Sequence, residues 1–398
     1  MKRVLFFAAT TGYQVREFAE TARALDIELI LATDRCHILD NPWGDDAAPV
    51  RFEDPGPGIE SLAARGPFDG ILAVGDRPAS VAAQAAEFLG SLRFHPAAAA
   101  RTAANKLLTR ERFRHGGLRV PEFRICSSAS PAADLRYPCV LKPLDASASR
   151  GVIRANNAEE FRQAAERIAR IRPGDILVEG YVPGREFALE GVVTNGTLQT
   201  LALFDKPDPL EGPYFEETIY VTPSRESPAM QAQIREAAQA AVIALGLTDG
   251  PIHAEMRVNS AGVWMLEVAA RPIGGLCSRV LRFNEGSLER VLLRHAVGED
   301  VSGVRLVPGA HGVMMIPIPH AGVYQGVVGL DEARQVPGVE DIVITAKEGQ
   351  EMVPLPEGSA YLGFLFFRAP TFDLVLEGLR EVHQRLKFHL SAALPVVK

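Results

Sequence analysis

Through the first 95 residues, short apolar runs alternate with stretches of helical period. "RVLFFAA" leads into the turn Thr10-Thr11-Gly12. A helical stretch runs to about Ala24, and "IELILAT" follows. Farther on, "FDGILAVG" precedes the alanine-rich "PASVAAQAAEFLG". Strand, helix, strand at this spacing predicts βαβ units and a parallel sheet. The loop after the first strand lacks GxGxxG, so no dinucleotide fingerprint is present.

From about Pro96 the pattern changes. "AAAARTAANKLLTRERFRHGG" reads as one long helix or two short ones, stopped by Gly116-Gly117. "YPCVLKPLDASASRGV" reads as a strand, a small-residue loop and a helix beyond. "GDILVEGYVPGREFALEGVVTNGTLQTLALFDK" reads as strands, with Asn195-Gly196 turning a tight hairpin. Helices are predicted over about 228–245 and 277–297, on either side of a second hairpin. Residues 305–398 carry short strands and a final helix, "TFDLVLEGLREVHQRLKF". "DPGPG" at 54–58 reads as a loop and "VPGA" at 307–310 as a linker.

The 398 residues, 47% of them hydrophobic, suffice for two or three cored domains. A net charge of -7 without a long Lys/Arg run argues against a nucleic-acid partner. The four cysteines form no CxxC pair, which fits reduced thiols in the cytoplasm. The N-terminal apolar run is too short for a signal peptide. No window approaches the ~18 apolar residues of a membrane span. The expectation is a cytoplasmic protein without a membrane partner.

The second hairpin, "HAEMRVNSAGVWMLEVAARPIGG", brings in chemistry. A three-residue loop at Ser260-Ala261-Gly262 sets Asn259 against Val263 and Glu255 against Glu267. In that register His253, Glu255 and Arg257 share a face with Met265, Glu267, Ala269 and Arg271. Trp264, Leu266 and Val268 fall on the apolar face. Two carboxylates directly opposite repel each other unless a cation lies between them. A hard divalent ion carrying phosphates, Mg²⁺ first and Mn²⁺ as its substitute, is one solution. A solvated face neutralised by Arg257 or Arg271 is the other. A one-residue change of register separates the two glutamates. Upstream, Lys142 ends an apolar strand, and Ser147 to Gly151 form a small, flexible loop whose amides suit an anion. His253 reads as a structural hydrogen-bonder, and Cys277 as a packed small hydrophobe.

The order of these pieces resembles the ATP-grasp superfamily, and within it the carboxylate–amine ligases of the L-amino acid ligase type. The resemblance implies an α/β chain in three parts. These are a Rossmann-like domain over 1–95, an ATP-grasp core over 96–304 with a lid at about 120–185, and a C-terminal α+β subdomain over 305–398. It implies that Lys106 and Lys142 bind nucleotide phosphates under a loop containing Ser147, Ser149, Arg150 and Gly151. Glu179 and the backbone near Tyr181 and Val182 fall where adenine is held, and Glu186 where the ribose is. Glu255 and Glu267 match the Mg²⁺ ligands. Ala269 replaces an asparagine of many members, which leaves the second metal ion in doubt. Arg271 matches the arginine on the substrate carboxylate or acyl phosphate, with Lys142 beside it in catalysis. Glu217 matches an acidic contact to an amino group, and Gly274 and Gly275 border the substrate. The implied activity joins a small-molecule carboxylate to an amine at the expense of ATP, in a protein that by analogy forms a homodimer. The competing readings are an ATP-grasp ligase of purine or carboxylation metabolism and a catalytically silent nucleotide-binding homologue.

Overall fold

A computed structural model describes residues 1–9, 14–34, 47–90, 92–126 and 136–392. The turn Thr10-Thr11-Gly12 and Cys36 lie outside the described residues. The N-terminal part holds β1 (Lys2–Ala8), α1 (Val15–Ala24), β2 (Ile27–Thr33), β3 (Ala48–Pro49), α2 (Gly56–Leu62), β4 (Gly70–Val74) and α3 (Asp76–Leu89). The strands form a parallel sheet in the order β3-β2-β1-β4. Strand periodicity explains the burial of β1 on both faces. Leu5 and Phe7 enter one core, while Val4, Phe6 and Ala8 enter another. The chain leaves β1 for β2 on one side and later places β4 on the other. The crevice beyond the carboxyl ends of β1 and β4 is therefore the switch point, where open parallel sheets bind ligands.

Two short helices follow, α4 (Ala97–Ala103) and α5 (Lys106–His115). Asn105 separates them because its side chain caps α5, accepting from the Leu108 amide at 3.1 Å. A four-stranded antiparallel sheet comes next, ordered β5 (Phe123–Cys126), β8 (Ile176–Gly180), β6 (Cys139–Pro143), β7 (Ile153–Ala155). The helix α6 (Ala158–Ile171) covers it with Phe161, Ala164, Ala165 and Ile168, a helical stripe.

The largest sheet has eight antiparallel strands. Its chain-order members are β9 (Arg185–Thr194), β10 (Thr197–Lys206), β11 (Ile219–Thr222), β12 (Gly250–Asn259) and β13 (Gly262–Ala269). After the β14 (Arg282–Phe283) and β15 (Gly286–Ser287) pair come β16 (Ala310–Ile316), β18 (Val339–Ile344) and β20 (Gly363–Ala369). The spatial order is β13-β12-β9-β10-β11-β16-β20-β18, so one sheet carries strands from both sides of residue 305. The helices α7 (Pro228–Leu245), α8 (Leu288–Ala296), α9 (Leu330–Arg334) and α10 (Phe372–Arg385) belong to this region. A small sheet of β19 (Glu351–Met352), β17 (Gly322–Val328) and β21 (Lys387–Ser391) completes the C-terminal part. The Asn195-Gly196 turn is as expected. Thr194 pairs with Thr197, and both turn residues have positive φ.

Several sequence expectations need correction. The helix expected over 277–297 is a 3₁₀ turn, Cys277–Val280, then the β14–β15 pair, then α8. Gly286, at φ +119, turns the chain there. "DPGPG" is not all loop, because α2 starts at Gly56 after Pro55. "VPGA" is no free linker: the Val307 amide bonds the Arg282 carbonyl, and Ala310 opens β16. The last helix stops at Arg385, and Lys387 begins an edge strand.

Candidate active site

A cleft of about 370 Å³ lies between the three parts of the chain. One wall is cationic. Lys106 opens α5, and its ammonium donates to the Ala146 carbonyl. One helical turn on, Arg110 faces the same side. It is buried and forms an ion pair with Glu179, and it donates to the Leu266 carbonyl. Lys142, at the end of β6, reaches the other oxygen of Glu179 at 2.6 Å. Burial opposes ionisation of Glu179, but Arg110 and Lys142 outweigh it and hold the carboxyl at about 2. Burial lowers the Lys142 ammonium below the ordinary lysine value, with Glu179 opposing that shift. Both oxygens of Glu179 are spent on the two cations, because a buried charge is held only when paired.

The loop after Lys142 has Ala148 and Ser149 in left-handed conformation, at φ +53 and +54. Strain of this kind persists where a backbone is shaped to surround a ligand. Ser147 and Ser149 line the cleft. Arg150 does not: its Nε donates to the Glu357 carbonyl at 2.9 Å. Gly151 likewise spends its amide on the Pro356 carbonyl, at 2.9 Å. These two residues tether the loop to the C-terminal part. Tyr181 and Val182 line the cleft, but the Tyr181 amide bonds the Pro138 carbonyl at 3.0 Å. The Val182 carbonyl accepts from Arg257 at 2.7 Å.

The acidic part of the lining rests on the β12–β13 hairpin. The turn is shorter than expected: Asn259 pairs with Gly262, and Met256 with Met265. A bulge between Glu255 and Met256 then shifts the register, so Glu255 still faces Glu267 and His253 faces Ala269. Below the bulge the expected faces are exchanged. Met265 is fully buried in the core, and Trp264 pairs with Arg257. Leu266 sits at the bulge and lines the cleft.

Oxygens of Glu186, Glu217 and Glu255 lie within 4.8 Å of one another, a grouping that resembles a metal site. Its centre is Lys206, at the end of β10. The buried ammonium is 2.9 Å from Glu186, 3.0 Å from Glu255, and bonded to Glu217. An ammonium has three donors, and each finds a carboxylate. Burial works against the charge of Lys206, and the three carboxylates reverse this and raise it well above its ordinary value. Glu217 is raised as well. Burial, together with Glu255 and Glu186, pushes it up to about 7 against the pull of Lys206. Glu186 also accepts from Arg257 at 2.7 Å, so both its oxygens are engaged.

Glu267 makes no hydrogen bond or salt bridge to a described residue, and it faces the cleft opposite Glu255. Two hard oxygen donors on adjacent strands, lining the same cleft as Lys106 and Lys142, suit a divalent cation that shares phosphate oxygens. His253 bonds Glu190 through Nδ1 and lies 3.3 Å from Glu255 through Nε2. Burial lowers its proton affinity, but Glu190 and Glu255 prevail and raise it to about 9. Glu190 also accepts the Ile273 amide at 3.0 Å, which fixes the loop that follows Arg271. Arg271 is paired with Asp76 at 2.8 Å. Gly274 and Gly275 line the cleft, and a Cβ on Gly274 would meet nothing within 4 Å. Cys277 is buried and its thiol is pushed up by burial, away from reactivity.

Sequence reasoning missed Asp76, Arg110, Glu190 and Lys206. Weak signals existed for three. Arg110 stands four residues from Lys106 on one helix. Glu190 shares the strand face of Glu186, four residues away. Asp76 follows a parallel strand at its carboxyl end. Lys206 had no signal besides its place at a strand end.

Comparison with known proteins follows this geometry. Residues 135–280 match the ATP-grasp domain, and 314–391 match the L-amino acid ligase C-terminal domain 2. The crystal structure of L-amino acid ligase from Bacillus licheniformis superposes with a TM-score of 0.84, at 23% identity. It covers 98% of this chain and 99% of that one. At that identity the likeness establishes the fold. An ATP-grasp enzyme, fsqD, of Aspergillus fumigatus is 25% identical over 316 residues, covering 68% of this chain and 55% of its own length. A formate-dependent phosphoribosylglycinamide formyltransferase of Paraburkholderia xenovorans is 30% identical over 217 residues, covering 49% of this chain and 50% of its own length. The chain spans little more than half the length of the curated relatives it matches. Among the described residues no helix is long and apolar enough to cross a membrane.

Proposed function

Taking the chain as an ATP-grasp protein that carries the C-terminal domain of the L-amino acid ligases, we propose that it is an ATP-dependent carboxylate–amine ligase acting on amino acids. The observation that carries this reading is the convergence on one cleft of Lys106 and Lys142, the facing Glu255 and Glu267, and Arg271. Such a cleft answers one chemical problem, the poor electrophilicity of a carboxylate. An oxygen of the substrate carboxylate bonds to the γ-phosphorus as the bond to ADP breaks, its electron pair leaving with ADP. The amine nitrogen then bonds to the acyl carbon. The carbon–oxygen bond to phosphate breaks with its pair, and the surplus amine proton leaves with phosphate or solvent.

Lys106 and Lys142 hold the phosphate chain, and Glu179 with Arg110 orients Lys142. Glu255 and Glu267 would hold Mg²⁺, which would neutralise charge on the phosphate oxygens. Arg271 presents a planar fork to the acyl oxygens as charge develops there. The loop at 147–151, tethered through Gly151 and Arg150, excludes water that would hydrolyse the intermediate. Glu217 accepts an amino group.

The test is a phosphate-release screen over pairs of amino acids, with mass detection of the product. Wild-type chain is expected to release phosphate with a product heavier than either substrate. Glu267→Gln is expected to lower turnover on the order of 10²–10³-fold with the fold intact. Phosphate release indifferent to every acid and amine would end the proposal. The 30% likeness to a formate-dependent formyltransferase favours a second reading in which formate is the acid, and formate belongs in the same screen.

A further inference from the structure

Asp76 is the first residue of α3, one step beyond Gly75 at the carboxyl end of β4. It therefore stands at the switch point of the N-terminal sheet, yet it faces the cleft of the ATP-grasp core. Its partner is Arg271. The Arg271 Nε lies 2.8 Å from Oδ1 and Nη2 lies 3.4 Å from Oδ2, while Nη1 donates to the Pro272 carbonyl at 3.1 Å. A guanidinium has five N–H groups, and these contacts occupy three. A carboxylate has about four acceptor sites, and these contacts occupy two. Both side chains keep access to the cleft, at 28% exposure for Asp76 and 13% for Arg271. The pair thus offers the cleft an unused negative edge beside an unused positive one.

An α-amino acid carries the complementary arrangement, with ammonium and carboxylate on one carbon about 3 Å apart. The surroundings are shaped for a small molecule of that kind. Gln14, from the segment after β1, donates to the Ile273 carbonyl at 2.7 Å, and Glu190 accepts the Ile273 amide at 3.0 Å. The loop beside the pair is thereby clamped from both sides. At Gly274 the wall is open where a side chain would stand.

We infer that Asp76 is the ammonium anchor for an α-amino acid whose carboxylate lies against the free edge of Arg271. The inference rests on the ligase reading and deepens it: a residue of the N-terminal part, Asp76, selects the acid by its α-ammonium. Des-amino acids leave Asp76 without its cation and bind more weakly.

The test is calorimetry on the chain loaded with Mg²⁺ and a non-hydrolysable ATP analogue. The probes are L-alanine, L-leucine and L-phenylalanine against propionate, 4-methylpentanoate and 3-phenylpropionate. For at least one pair, wild type is expected to bind the amino acid about 10–100-fold tighter than its des-amino counterpart, the range of one charge-assisted hydrogen bond. Asp76→Asn is expected to erase that preference with little change for the des-amino acid, and Asp76→Glu to restore part of it. Equal losses for both classes would mean that Asp76 only latches the N-terminal part onto Arg271, which overturns the inference. So would a wild type that binds no amino acid of the panel. Ligation that proceeds without the Asp76-dependent preference sinks this inference alone. Asp76-dependent amino-acid binding with no phosphate release in any pairing sinks the ligase reading alone.

Discussion

Arg110 shows how much of this site is carried by a buried ion pair. It is 1% exposed, and it joins Glu179 to the hairpin through the Leu266 carbonyl. Replacing it with methionine would remove one of two cations from a buried carboxylate. Breaking a buried ion pair in this way costs about 3–5 kcal/mol. Urea unfolding of Arg110→Met should show a loss of that order, and the Michaelis constant for ATP should rise because Lys142 is then drawn to Glu179 alone. An unchanged midpoint would mean that Lys142 suffices. The residue scale also shows what chemical type reveals. Glu255, Glu267, Lys142 and Arg271 stand out because charge at a strand end or in a strand face asks for a reason. Arg110 and Lys206 do not stand out, since burial is not written in a side chain's identity.

At the scale of elements the β12–β13 hairpin is the informative case. A three-residue turn predicts Glu255 opposite Glu267. The hairpin reaches that pairing through a two-residue turn and a bulge. Two deviations of one residue cancel at the glutamates and not at Met265 or Trp264, where the faces are exchanged. Gly184 holds the neighbouring edge in place. Its φ is +131, and a Cβ there would lie 2.3 Å from the Val258 carbonyl oxygen. Gly184→Ala therefore forces β9 and β12 apart beside Glu186 and Arg257. The backbone conformation alone costs about 1–3 kcal/mol, and the overlap adds to it. Thermal unfolding should show a clear drop in midpoint. A midpoint within a degree of wild type would show that the strands yield at no cost.

For the whole molecule, the docking of the parts has a pH signature. His95 follows the N-terminal part, is 1% exposed, and bonds the Pro251 carbonyl on β12 at 3.0 Å. Burial dominates and lowers its pKa to about 4, with the Pro251 carbonyl opposing. The ordinary value of 6.5 applies when the chain unfolds, so the unfolded state binds the proton more readily. The contribution is fully present above about pH 6.5 and is lost as pH falls toward 4. Between pH 7.5 and pH 5 this one group should remove about 2 kcal/mol of stability. Denaturant titrations at the two pH values measure this, and His95→Gln should flatten the difference. An equal slope in the variant would assign the pH dependence to other groups.

The sequence by itself determined which segments are strands and helices over most of the chain, because apolar period and turn chemistry are local. It also determined the chemical types on the hairpin and at the end of β6. Tertiary structure alone decided that Asp76 faces Arg271 across 195 residues, that Lys206 gathers three carboxylates, and that Arg150 turns away from the cleft. Those outcomes depend on which surfaces meet when separate elements pack. Pairing of distant charges is settled by burial and distance, and neither is present in a linear order of residues.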